Sequence, residues 1–406
     1  MRGVRLALAA AVALALAAAG ARRARADDAA ARGAASPGQL SPFAEYFRPG
    51  SDDVLLAPES SAPRRLRGDY EPIDLLVLVH NPEWEGALRF MVERARTRVP
   101  VEVLIPSQER NTAEFRAWSR SRCVGVEDVK LNTPWIRDYG PQQVFEGLSV
   151  TWLDYTYYED RRLDDDLPVD LADAFHVPLH AQEVHVDGGG LVSNGRGLCA
   201  MTDTSLADAG MHLASRRERE RFVAELGCRG LAVLPALPRE QTGHADVVVQ
   251  FLSPDVVAVA AMDAGGSASD AELLDLTAGA LRRTARALGQ PLRIVRVPMH
   301  ARGQVFYSYL NSLRVADLLF VPDYRDVAPA LQAAAHGVLR AALPGVKLVP
   351  VPADSMVSLG GALHCIALGL NTPPSSAHPN DRARACPRAA PTRLARRQPA
   401  RRAPAH

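Results

Sequence analysis

Asp138 in WIRDYGP, Asp187 in HVDGGG, His244 and Asp246 in TGHAD, Asn311 in YLNS and Cys365 in GGALHC set acids, an imidazole, an amide and a thiol in five short polar segments. Subtracting neighbours (187−138, 244−187, 311−244, 365−311) gives intervals of 49, 57, 67 and 54 residues. Such near-regular spacing suggests repeated units, each delivering one loop to a shared centre. A cysteine nucleophile needs a histidine elsewhere in the fold, which His244 would supply. His244 and Asp246 are two apart at the expected start of a strand, where alternation turns both to one face and sets a proton carrier beside an acid. Asp138 lies between the rings of Trp135 and Tyr139. A loop-borne carboxylate among aromatic rings suits a flat cation, whose charge the ring faces attract while the carboxylate takes its N–H groups. Asp187 precedes three glycines, which permit tight turning and close backbone approach. Taken singly, each motif has a plainer reading: an internal ion pair of Arg137, a glycine turn, a structurally satisfied histidine, a buried cysteine packing as a small hydrophobe. Their weight comes from the set.

Alternating strands and helices must position these loops. Short apolar runs at 73–79, 101–105, 150–155, 231–234, 247–252, 256–261, 292–297, 318–321 and 347–351 are β-branched or Leu-rich and end in Pro, Asn, Asp or Ser. Helices are expected over 85–98, 206–226, 271–288 and 328–342. In the third, Leu274, Ala278, Leu281, Ala285 and Leu288 share a face, Ser269 and Glu272 have capping-box spacing, and Gly289 ends the run. The class is α/β, with no boundary dividing the folded part.

At 406 residues, 47% hydrophobic and 23% charged, the chain is long enough for a large core. A formal net charge of +1 provides no global field to recruit nucleic acid or an anionic membrane. Residues 1–26 read as an export signal: Arg2 and Arg5 lead an apolar run from Leu6 to Ala21, followed by small-residue cleavage sites. The run is short for a membrane span, so no stable membrane association is expected after cleavage. Residues 27–68 read as a weakly ordered linker, 69–372 as the folded domain, and 373–406 as a disordered Arg/Pro/Ala-rich tail. The expected location is therefore secreted or periplasmic. Five cysteines, Cys123, Cys199, Cys228, Cys365 and Cys386, leave at least one unpaired within the chain. A metal site at His176, His180 and His185 is disfavoured by Pro178, which interrupts the helix such spacing would need.

Read in order, WIRDYGP, HVDGGGLVSNGRG, TGHADVVVQFL, YSYLNS and GGALHCIALG, preceded by the YEP of Tyr70 to Pro72, resemble the motifs of guanidine-modifying enzymes, the bacterial (Porphyromonas-type) peptidylarginine deiminase and agmatine deiminase group. The resemblance implies a pentein fold, five ββαβ-type units around a pseudo-fivefold axis. It also implies Cys365 as nucleophile, His244 as general acid/base, Asp138 and Asp246 as grips for a guanidinium, Asp187 as partner of His244, and Asn311 as an active-site amide. Trp135 would line the cation site. Arg161 and Arg162 lie close to where the secreted branch carries arginines that clamp a substrate carboxylate. The product would be a ureido group and ammonia, by chemistry that requires no cofactor. Two departures stand out: Asp187 replaces the Glu of many relatives, and Gly190 the usual Asn. Export and the Arg161–Arg162 pair favour a peptide C-terminal arginine as substrate; agmatine is the alternative, as is a catalytically silent secreted binding protein. A papain-like protease lacks its characteristic sequence around Cys365. Oligomeric state is not legible.

Overall fold

The computed structural model describes residues 53–58, 64–212 and 214–372. The export signal expected over 1–26 and the tail expected over 373–406 lie outside the described residues. Within them the strands form five small sheets, four of four strands and one of three.

One pattern recurs: a hairpin, a helical segment, and a strand parallel to the second arm of the hairpin. Gln142–Glu146 pairs antiparallel with Ser149–Thr156, which pairs parallel with Leu179–His185. The same order joins Leu191–Ser193, Leu198–Thr202 and Gly230–Leu234, then Val249–Ser253, Val256–Met262 and Arg293–Arg302, then Leu313–Val315, Leu318–Asp323 and Lys347–Pro352. In the fifth sheet Ala367–Leu370 supplies the outer arm, pairing antiparallel with Leu75–Val79, which runs parallel to Val101–Pro106.

Two of the middle strands, Leu75–Val79 and Leu198–Thr202, are buried along their whole length. Strands covered on both faces read as continuous apolar runs, so the first was legible in the sequence, whereas Leu198–Thr202 was not among the expected strands. Helix Ala268–Ala287 packs Leu273, Leu274, Ala278, Leu281 and Ala285 against the strands Gly230–Leu234 and Val256–Met262. Its cap is Ser267, whose hydroxyl accepts from Asp270 N at 3.3 Å, so the capping box expected at Ser269 and Glu272 is not formed. Ser269 lies inside the first turn and its hydroxyl meets that of Ser267 at 2.7 Å.

Two expectations are corrected. The helix expected over 206–226 is two helices, Asp203–Asp208 and Arg216–Glu225. Gly210 at φ +75° breaks the first, and a capping box of Ser215 and Glu218 starts the second. The linker expected through residue 68 contributes strands Val54–Leu56 and Arg65–Leu66, which add antiparallel edges to Gly230–Leu234 and Gln142–Glu146. Strands this short take their order from the sheet they join, so no apolar run announces them.

Polar bonds tie each sheet to the next. Gln143 Nε2 donates to Gly369 O at 2.6 Å, Ser193 Oγ to Leu66 O at 3.1 Å, and Asn194 Nδ2 to Pro254 O at 2.9 Å. Gln250 Nε2 donates to Ser312 O at 2.9 Å, and Ala362 N donates to Asn311 Oδ1 at 3.1 Å. Cys199 and Cys228 form a disulfide, Cys123 is disulfide-bonded as well, and Cys365 is free.

Candidate active site

Each of the five motifs sits immediately ahead of the outer hairpin strand of one sheet. Asp138 is in the short helix Ile136–Tyr139 before Gln142–Glu146, and Asp187 caps the glycine turn Gly188–Gly190 before Leu191–Ser193. His244 caps the turn Ala245–Val247 before Val249–Ser253, Asn311 precedes Leu313–Val315, and Cys365 precedes Ala367–Leu370. His244 and Asp246 were expected at the start of a strand. They occupy a 3₁₀ turn instead, and the strand begins at Val249.

The backbone of Gly189 marks where the acids and the imidazole meet. A methyl carbon there would lie 2.7 Å from Asp138 Oδ1, 2.7 Å from His244 Nδ1 and 3.3 Å from Asp246 Oδ2. His244 Nε2 is 3.1 Å from Asp187 Oδ2, and its Nδ1 is 3.6 Å from Asp138 Oδ1. Gly189 N donates to Asp138 Oδ1 at 3.2 Å. A Gly189→Ala protein should fold yet lose roughly 100-fold of any catalytic efficiency this cluster carries, because the methyl displaces three side chains at once. Thermal unfolding measured beside turnover checks this. A Cβ on Gly190 would lie 2.6 Å from Ser205 Oγ, so the asparagine that the resemblance expects here would require Ser205 to move.

Cys365 shares Asp246 with that group. Its Sγ is 4.0 Å from Asp246 Oδ2 and 3.3 Å from Asn311 Nδ2, which also donates to Asp246 Oδ2 at 3.0 Å. Asn311 Oδ1 accepts from Ala362 N and His364 N, at 3.1 and 3.2 Å, which fixes the amide so that its N–H group faces the sulfur and the acid. Trp135 lies across Gly361 from the thiol: a methyl carbon on Gly361 would meet Trp135 Cζ3 at 2.8 Å and Cys365 Sγ at 3.1 Å. Arg137 N donates to Cys365 O at 3.1 Å, joining two motifs through the backbone.

The electrostatics follow from burial and crowding. Burial raises the Asp138 carboxyl, His244 opposes this, and Asp187 and Asp246 add to it, so that the group is pushed up to about 7. Burial alone would lower the His244 imidazole, but Asp138, Asp187 and Asp246 push it up to about 10. Asp187 resists burial and stays well below the usual carboxylate range, because His185 and His244 both hydrogen-bond to it. Burial, then Asp246 and Asp138, raise the Cys365 thiol well above its ordinary value.

Arg161 and Arg162 part company. The Arg161 guanidinium lies 4.9 Å from the centre of the Tyr158 ring and donates to Tyr157 Oη at 3.0 Å, while Tyr158 Oη donates to Asp187 Oδ2 at 2.9 Å. Arg162 begins the short helix Arg162–Asp165 and is solvent-exposed. Neither arginine forms an ion pair with Asp164 or Asp165: Asp164 accepts from Asn132 N and Thr133, and Asp165 from Tyr157 N. Arg137 pairs with Asp69 at 3.3 Å and not with Asp138. Sequence reasoning missed Tyr158, Asp69 and His364, and it weighed His185 only as a metal ligand, whereas His185 Nε2 is 3.0 Å from Asp187 Oδ1. Only His364, inside GGALHC beside the thiol, carried a usable signal.

The profile of the Porphyromonas-type peptidyl-arginine deiminases matches residues 80–370, which includes every one of these motifs. The chain belongs to that family. It is therefore a guanidino-group deiminase, an enzyme acting on C–N bonds. Among relatives, a Streptomyces coelicolor protein provisionally named agmatine deiminase is 27% identical over 268 residues, spanning 60% of this chain and 77% of that one. In three dimensions the agmatine deiminase of Enterococcus faecalis superposes with a TM-score of 0.65 at 20% identity, covering 78% of this chain and 100% of the other. The agmatine deiminase of C. jejuni gives 0.63, also at 20% identity, over 76% and 96%. These likenesses establish the mixed α/β fold of the deiminases.

Proposed function

We propose that this deiminase converts the guanidinium of a peptide C-terminal arginine to a ureido group, releasing ammonia through a covalent intermediate on Cys365. The observation that carries the reading is a free cysteine whose sulfur shares Asp246 with a buried imidazole and two further carboxylates. We also read the five sheets as blades around a pseudo-fivefold axis, an arrangement supported by the recurring strand order and the bonds that link each sheet to the next.

A guanidinium is planar and cationic, so Asp138 and Asp246 accept its N–H bonds and hold its carbon towards the sulfur. Its charge offsets theirs and favours thiolate over thiol. The thiolate adds to the carbon, forming the C–S bond. His244 gives its proton to the departing nitrogen, the C–N bond breaks and ammonia leaves. The neutral imidazole then takes a proton from water, hydroxide adds to the amidino-thioether, and the C–S bond breaks to return the thiolate. Asp187 keeps the imidazole oriented and offsets its charge.

The pH profile follows from the two raised groups. Below about 7 the Asp138 carboxyl is protonated and its grip on the cation is lost; above about 10 His244 lacks the proton that ammonia must carry away. kcat/KM should climb through neutrality, peak on the alkaline side and fall towards pH 10. Asp138→Asn should flatten the acid limb.

Arg161, set on the tyrosine that touches Asp187, supports a substrate with a carboxylate, whereas the names of relatives favour agmatine. Ammonia and ureido product should be measured on a peptide ending in arginine, a peptide with internal arginine, free arginine and agmatine. The first should turn over fastest, and Arg161→Ala should raise its KM while leaving agmatine unaffected. Fastest turnover of agmatine would reverse the assignment. Export through residues 1–26 remains part of this proposal, and the Cys199–Cys228 disulfide supports an oxidising compartment.

A further inference from the structure

We propose that His364, held between Asp69 and Asp246, is the positioning residue that aims Asp246 at the guanidinium; this rests on the deiminase reading above. His364 Nδ1 is 2.7 Å from Asp246 Oδ2, and its Nε2 is 3.1 Å from Asp69 Oδ2. A neutral imidazole has a single N–H, so carboxylate oxygens at both ring nitrogens call for the imidazolium. The charged groups facing this cluster are Asp246, Asp69, Arg137 and Arg67. Asp69 Oδ1 stands 3.3 Å from Arg137 Nη1 and 3.6 Å from Arg67 Nη1, so the far anchor of the imidazole is itself held in place. Burial and Arg137 lower His364, but Asp69 and Asp246 outweigh them and raise it above its ordinary value.

The consequence falls on Asp246. Its Oδ2 takes His364 on one side and Asn311 Nδ2 on the other, whereas its Oδ1 is buried without a hydrogen-bond partner. An acceptor left bare in a buried place is costly, and a substrate N–H would satisfy it. His364 thus fixes the carboxylate through Oδ2, the oxygen that stands 4.0 Å from Cys365 Sγ, and leaves Oδ1 as its unused acceptor. Because His364 directly precedes Cys365, and Asn311 Oδ1 holds the backbone N–H of His364, one turn carries both the clamp and the nucleophile.

Two amide substitutions separate this role from packing. The amide of Asn reaches the position of the imidazole Nδ1, towards Asp246, while the longer Gln reaches that of Nε2, towards Asp69. In the full-length protein, KM and kcat on agmatine and on an arginine-terminated peptide should be measured for His364→Ala, His364→Asn and His364→Gln, with agmatine binding followed by calorimetry. His364→Ala and His364→Gln should raise KM roughly tenfold or more with a smaller change in kcat, and His364→Asn should restore most of it. If Gln equals or exceeds Asn in preserving KM and affinity, the clamp is refuted, and this comparison stands even where the Ala variant fails to fold. A wild-type protein that releases no ammonia from any guanidine overturns the reaction assigned above, while the calorimetric order of the Asn and Gln variants still decides the clamp.

Discussion

Cys365→Ala is expected to abolish the ureido product, a fall of roughly 10⁴-fold or more, since nothing else in the cluster can form the covalent bond and loss of a nucleophile typically costs that much. The buried thiol lies within the turn leading into Ala367–Leu370, and replacing it with alanine removes a single heavy atom, so the smaller side chain costs little in folding. Agmatine should still bind, because Asp138 and Asp246 are untouched. The measurement is ammonia release beside calorimetric binding. Residual turnover within tenfold of wild type would end the covalent mechanism, whereas loss of binding would show that the substitution had disturbed the acids.

His244→Gln carries the second-largest effect, roughly 10²–10⁴-fold in kcat, the usual range for a general acid and base. Here the two half-reactions can be separated. A guanidine analogue with a good leaving group needs no proton from the imidazole to leave, so Cys365 should still become modified. Water then lacks a base, and the adduct should persist. Intact-protein mass spectrometry would read it as an amidino group on Cys365 that decays more slowly than in wild type. Decay at the wild-type rate would assign water activation elsewhere, with Asp187 and Asp138, 3.1 and 3.6 Å from the two imidazole nitrogens, as the candidates.

Much of the chemistry was legible because reactive residues stand in short polar segments between apolar runs. Asp138, Asp187, His244, Asp246, Asn311 and Cys365 are brought into one cluster, and their spacing reflects one loop per sheet. The strands that come first in each hairpin were harder to see. Leu191–Ser193 and Leu313–Val315 have three residues each, too few to show a period. The turn at His244 was read as strand because alternation and a 3₁₀ turn both bring residues two apart near one another. Asp69 and Tyr158 left no trace, since each acts through a partner distant in sequence: Asp69 reaches His364, and Tyr158 reaches Asp187. Arg162 beside Arg161 illustrates the opposite failure, in which a charged doublet suggests two ligands and helix geometry sends one of them to solvent.

The sheet containing Leu75–Val79 lacks an outer arm until Ala367–Leu370 arrives from nearly 300 residues downstream, and the thiol travels with that arm. During synthesis, four sheets can assemble before the reactive sulfur exists in place. On the proposed mechanism, the nucleophile is set in place only when this final described strand docks. Truncation even a few residues short of that strand would yield a structured but silent protein.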